Sequence, residues 1–159
     1  MKNNLGKSAY QTFLKLREDF RTRYTDLIIH ESEDEAQNLA SLEVKSQSSE
    51  GFDVGVEIRA DKIFFWTNTG FHDEWQIGKD HNSFMKSVFE FLRDVLSNNM
   101  RLRELRSNGR PYRWILEGWD GKDWIMESTT GLIFYNYFGR KSEHIFQNQM
   151  IEGYSIDSE

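Results

Sequence analysis

Asn108-Gly109, set between "RLRELRS" and "RPYRWILEGW", is the feature that most restricts what this chain can become. Asn and Gly accept the positive φ angles of a two-residue hairpin turn, so an antiparallel strand pair belongs in the last third of the chain. With a two-residue loop the register follows: Ser107 faces Arg110, Leu105 faces Tyr112, Glu104 faces Arg113 and Arg103 faces Trp114. That register pairs Glu104 with Arg113 across the strands and offers Arg103 a cation–π contact with Trp114. Asp120-Gly121 predicts a second hairpin, into "KDWIMES", and Thr130-Gly131 a third turn, into "LIFYNYF". Pro111, the only proline, has no N–H for the ladder and belongs at a strand start or an outward-facing position.

Upstream, "LASLEVKS" and "FDVGVEIRA" alternate at Leu42, Val44, Phe52, Val54, Val56 and Ile58, the period of half-buried strands. "KIFFWTN" follows a tight turn at Ala60-Asp61 and completes an antiparallel meander, with "YTDLIIHES" as a short strand before it and "EDEAQN" as a polar connection or helical turn. Two segments carry the helical period instead. Ala9, Phe13, Leu16 and Phe20 form one apolar stripe, with Ser8 as its expected N-cap. Phe84, Val88, Phe91, Leu92 and Val95 form the second, capped by Asp80 and stopped by "SNN". The order helix, strands, helix, strands lacks the βαβ alternation of a parallel sheet. The expected fold is α+β, one domain over residues 1–159, with an antiparallel sheet built as two meanders against two amphipathic helices.

Composition narrows the chemistry. Cysteine is absent, which removes disulfides, thiolate zinc sites and a cysteine nucleophile. The first twenty residues hold no continuous apolar stretch of the signal-peptide kind, and no run is long enough for a membrane span, so the expectation is a cytoplasmic protein with no membrane partner. The net charge is −6, which argues against non-specific nucleic-acid binding; it suits a basic protein partner, and its plainer reading is a surface charge that keeps the protein in solution. Charge is also uneven. Residues 1–23 carry six Lys/Arg against two Asp/Glu, and residues 24–60 carry nine Asp/Glu against two Lys/Arg.

The segment "GFHDEWQIG", Gly70 to Gly78, gathers a histidine, two carboxylates and a tryptophan. In an extended chain His72 and Glu74 point to one side and Asp73 to the other. A metal site needs more ligands than these, and His30, His81 and His144 stand at no ligand spacing; no nucleophile elbow, phosphate loop or H-E-x-x-H accompanies them. No cofactor, metal or catalytic residue is therefore assigned. "GRKSEH" places Ser142 near His144 without an oxyanion element. The segment reads as a polar turn or strand end, or as the rim of a partner surface. On the second reading the contact residues are Phe71, His72, Asp73, Glu74 and Trp75, assisted by the acidic stretch Glu31, Glu33, Asp34 and Glu35, and by Trp119 at its turn. Trp114, in mid-strand, is expected in the core.

An apolar strand ending in Trp66, then "GFHDEW", a Phe-rich helix, "GRPYRWILE", "TTGLIFYNYFGR" and "IFQNQ" together cover roughly residues 52–149. This order resembles small uncharacterised bacterial proteins with a Gly-aromatic-His-acidic segment before a helix and an R-P-Y-R-W-like strand after it. The resemblance implies an immunity partner of a bacterial toxin system: a small acidic domain that binds and blocks a toxin. It carries no functional residues over. The leading expectation is a non-enzymatic protein-binding domain of that kind. The alternatives are a small ligand-binding or enzymatic domain using His72 and Glu74, and an RNA-binding module using Arg101, Arg103, Arg106, Arg110 and Arg113. For those arginines the bland reading is a solvated edge that blocks aggregation.

Overall fold

The computed structural model of the protein describes residues 2–131 and 138–153. Helix α1 spans Lys2–Arg23 and α2 spans His81–Leu96. Strands β1 (Ile29–Asp34), β2 (Leu39–Val44), β3 (Val54–Arg59), β4 (Lys62–Thr67) and β5 (His72–Gln76) form one antiparallel sheet in sequential order. Strands β6 (Met100–Ser107), β7 (Arg110–Trp119), β8 (Trp124–Gly131) and β9 (Lys141–Phe146) form a second antiparallel sheet in the order β8-β7-β6-β9. The α+β expectation holds. The first sheet is a pure meander, while in the second β9 crosses back to the far side of β6.

Strand alternation explains the first sheet. Ala40, Leu42 and Val44 from β2, Val54, Val56 and Ile58 from β3, and Ile63 and Phe65 from β4 share one face and are all buried. The two helices lie against that face and against each other. Phe13 of α1 and Phe89 of α2 meet at a ring separation of 5.4 Å, and Phe91 of α2 packs edge-on against Phe65 at 5.1 Å. Asp80 caps α2 by accepting from the Ser83 amide, which satisfies one of the donors a helix start leaves open. Ser8 does not cap α1. It lies well inside the helix, because nothing between Lys2 and Lys7 breaks it, and its hydroxyl meets His81 Nε2 at 2.9 Å.

The hairpin at Asn108-Gly109 forms, with both residues at positive φ and Ser107 facing Arg110. Beyond it the expected register is off by one. Arg106 faces Pro111, Leu105 faces Arg113, and Tyr112 is the extra residue of a bulge. The proline beside the turn has no N–H to offer the ladder, and the chain absorbs the gap there. Glu104 consequently faces Trp114, not Arg113, and Arg103 faces Ile115. Asp120 shapes the second hairpin by accepting from the amides of Lys122 and Asp123. Thr130-Gly131 is not a turn: both residues remain in β8, with Gly131 opposite Arg113. The strand expected from Leu132 onward falls at 132–137, outside the described residues.

Two seams join the sheets. Asn148, 1% exposed, bonds the Phe52 amide and carbonyl and the Val95 carbonyl, tying the chain after β9 to the start of β3 and the end of α2. At the other seam β5 meets β8: the Ser128 hydroxyl donates to Asp73 at 2.7 Å and the Thr130 hydroxyl donates to the His72 carbonyl. Neither described helix is long and apolar enough to cross a membrane.

Candidate binding surface

The face of the first sheet turned away from the helices is built by the same alternation. If Ile63 and Phe65 of β4 point inward, Phe64 and Trp66 must point outward. The register then lines up Gly55, Trp66 and His72 in one row and Glu57, Phe64 and Glu74 in the next. Trp66 lies directly over Gly55. A Cβ at that glycine would come within 2.1 Å of the indole, so only a hydrogen lets the ring lie flat on the sheet. Beside it the Arg59 guanidinium sits 5.4 Å from the Phe64 ring centre and bonds Glu57 at 2.7 Å. Lys62 pairs with Glu74, whose carboxylate holds the ammonium above its ordinary pKa. Phe64, Trp66, His72 and Glu74 border a shallow depression of about 440 Å³.

"GFHDEWQIG" is therefore an edge strand, and its residues divide. His72 and Glu74 are exposed on this outer face. Phe71 is 1% exposed and belongs to the core with Phe65, so it cannot touch a partner. Trp75 turns inward against Phe65 and Phe91. Asp73 also turns inward and spends its carboxylate on Ser128 and on the Glu74 amide. Of the five residues, two remain as surface. His72 Nδ1 lies 3.2 Å from the Gly70 carbonyl, and among the described residues no three His, Asp or Glu side chains are placed to hold a metal ion.

The acidic stretch has its own internal partners. Glu31 and Glu33 fall on the helix side of β1, where Arg17 reaches both and Arg21 reaches Glu31. Asp34 caps the short 3₁₀ turn Glu35–Gln37 and bonds Gln37 twice. Part of the opposed charge of residues 1–23 and 24–60 thus meets across α1 and β1, while Glu33, at 57% side-chain exposure, and Glu35 at the turn still face solvent. Trp119 is 39% exposed and packs at a tilt against Trp124, ring centres 5.3 Å apart, on the far hairpin, away from His72.

The arginines of β6 and β7 lie on the two central strands of their sheet, not on an edge, and they divide: Arg110 and Arg113 are exposed, whereas the three of β6 meet carboxylates. Arg101 and Arg103 converge on Glu117 at 2.6 and 2.9 Å, and Arg106 bonds Glu104 at 2.6 Å. Trp114 is 8% exposed, as a core residue, and its indole N–H donates to the buried Glu104 at 2.8 Å.

Sequence reading alone passes over Phe64, Trp66 and Arg59. The available signal is two aromatics at the outward positions of an otherwise inward-reading strand, with a glycine opposite one of them. Compared with known proteins, the chain matches no family model, no curated sequence and no solved structure.

Proposed function

We propose that this chain is a non-enzymatic protein-binding domain whose contact surface is the outer face of the five-stranded sheet. The observation that carries this reading is the pair Trp66 and Phe64, held outward side by side on a rigid sheet and ringed by Glu57, Arg59, His72 and Glu74. Aromatic rings bordered by polar groups are what a binding hot spot needs: apolar area at the centre and directional bonds at the rim. The net charge of −6 suits a basic partner. A bacterial toxin blocked by its immunity protein is the partner that fits this charge and size, inhibition being steric cover of the toxin's working surface.

Co-expression with the product of the neighbouring gene tests it. A co-purifying complex and protection from toxicity are expected, and Trp66→Ala should weaken the complex by about 2 kcal/mol or more. No complex and no protection would end this version. The depression beside His72 and Glu74 favours a second, small-ligand reading, in which His72→Ala and Glu74→Gln abolish binding while Phe64→Ala does not.

A further inference from the structure

The outward N–H and C=O groups of a sheet edge invite another strand, so each edge is paired, covered or defended by charge. Two sheets give this molecule four edges: β1 and β5 bound the first, β8 and β9 the second. The β5 and β8 edges meet, where Ser128 bonds Asp73 and Thr130 bonds the His72 carbonyl. Along β1, Glu31, Glu33 and Asp34 follow one another, so that edge repels a copy of itself. β9 has neither answer. Among the described residues it pairs only with β6, and Lys141, Ser142, Glu143 and Ile145 are exposed. The phase of its hydrogen bonds follows from one contact. The Asn108 amide donates to the Arg140 carbonyl at 2.9 Å, and hydrogen-bonded pairs alternate along an antiparallel ladder. Ser142 and His144 therefore turn their backbone groups to β6, at Arg106 and Glu104. Lys141, Glu143 and Ile145 turn theirs outward. The Gln147 amide, next in that phase, donates to the Glu50 carbonyl, which closes the edge at one end.

We infer that β9 pairs antiparallel with β9 of a second copy of this chain, about a two-fold axis at Ser142, so that the two four-stranded sheets become one continuous sheet. An axis normal to the sheet keeps the same face upward in both copies, so residues of like parity oppose each other. With the axis at Ser142, Lys141 faces Glu143 of the second copy and Glu143 faces its Lys141, two opposite-charge pairs directly across the strands. With the axis at Glu143, two carboxylates would face each other; with the axis at His144, Glu143 would face Ile145. Lys141 and Glu143 both lie on the outer face, where Lys141 meets the Tyr112 ring and Glu143 the Arg103 guanidinium. Ser142 is small and falls at a non-hydrogen-bonded position, where facing side chains come closest. Phe138, wholly exposed, and Ile145, 39% exposed, stand at opposite ends of β9. The antiparallel register carries Phe138 of one copy to the Ile145 end of the other, which adds apolar cover at both ends. The pairing leaves the Trp66 face open and is independent of it.

The chain has no cysteine, so Ser142→Cys gives it a single thiol. At the axis the two Cα atoms of residue 142 stand about 4.5 Å apart, within reach of a disulfide. Mild oxidation should cross-link Ser142→Cys into a dimer at least about tenfold faster than Ser32→Cys, which sits exposed on the β1 edge. Sedimentation equilibrium of the parent should show monomer and dimer in exchange. Lys141→Glu and Glu143→Lys should each weaken the dimer about tenfold, and the double exchange K141E/E143K should restore it. Trp66→Ala should leave dimerisation unchanged. A monomer at every concentration, equal cross-linking of the two cysteine variants, or charge exchanges that fail to compensate would overturn the pairing.

Discussion

On the helix-side face of the first sheet, Leu42, Val56, Ile58, Ile63 and Phe65 are buried without a polar atom among their side chains, whereas the second sheet buries a glutamate on each face, Glu104 at 3% and Glu117 at 4% exposure. The first sheet is held by non-directional burial against two helices. The second has less apolar cover and is held by directional bonds: Glu104 receives Trp114 and Arg106, and Glu117 receives Arg101 and Arg103. Apolar packing degrades by degrees when a side chain shrinks. A buried carboxylate network fails when one partner leaves, because the remaining charge is stranded.

The sharpest way to break this contrast is a cavity in the first sheet. Phe65→Ala, which removes ring contacts to Phe71, Trp75 and Phe91, should cost about 3–5 kcal/mol in urea unfolding. A loss below about 1 kcal/mol would mean that this core does not hold the fold. Next comes Glu117→Gln. Its arginines are partly wet, at 22% and 32% exposure, so the cost should sit below that of a fully buried pair, at about 1–3 kcal/mol. The same change at Glu74, whose pair with Lys62 is open to solvent, should cost about 0–1 kcal/mol. Equal losses at the two sites would erase the distinction between a structural and a surface pair.

Gly55→Ala pushes a methyl group into the Trp66 indole. It should cost about 1–3 kcal/mol and shift tryptophan emission as that ring lifts off the sheet; unchanged emission and stability would show that the ring is not seated there. The smallest effects concern pH. At Asp53 burial works to raise the pKa, but the Ser46 amide and the Lys45 ammonium outweigh it, and the carboxyl lies below its ordinary value. Its stabilisation is therefore present above the ordinary carboxylate range and is lost as pH falls through the lowered value. Asp94 has the opposite sign: its contribution is complete at acid pH and is lost as pH rises through the raised value. Asp53→Asn should lose about 1 kcal/mol at pH 7 and less in acid, while Asp94→Asn should hold or gain stability at pH 7. Urea midpoints at the two pH values decide; a matching pH response of the two variants would contradict both assignments.

Much of the fold could be read before the coordinates, for a physical reason: the alternation at Leu42, Val44, Val54, Val56 and Ile58 and the helical spacing of Val88, Leu92 and Val95 report burial directly, with Phe84 half-buried at the margin of the same stripe. The failures occur where a polar atom decides. Pro111 moves the ladder by one residue and turns Glu104 toward Trp114, which no count from the turn reveals. β5 resembles a connection because its inward positions are Asp73 and Trp75, one of them a carboxylate engaged with Ser128. Glu31 and Glu33 look like free surface charge until α1 brings Arg17 over them. At the candidate surface the histidine and acidic residues draw attention in the sequence, while the aromatics that make the patch, Phe64 and Trp66, are hidden within an apolar run.

The Trp119–Trp124 pair has an optical consequence. Two indoles with ring centres 5.3 Å apart, inclined at 55°, are close enough for their electronic transitions to couple. The coupled pair gives a circular dichroism band of paired opposite lobes that an isolated ring lacks. Trp66, Trp75 and Trp114 stand apart from that pair, on the open face, in the helix-side core and on a carboxylate. The protein thus carries a chiroptical signature of the far hairpin that reports on its packing without any added label.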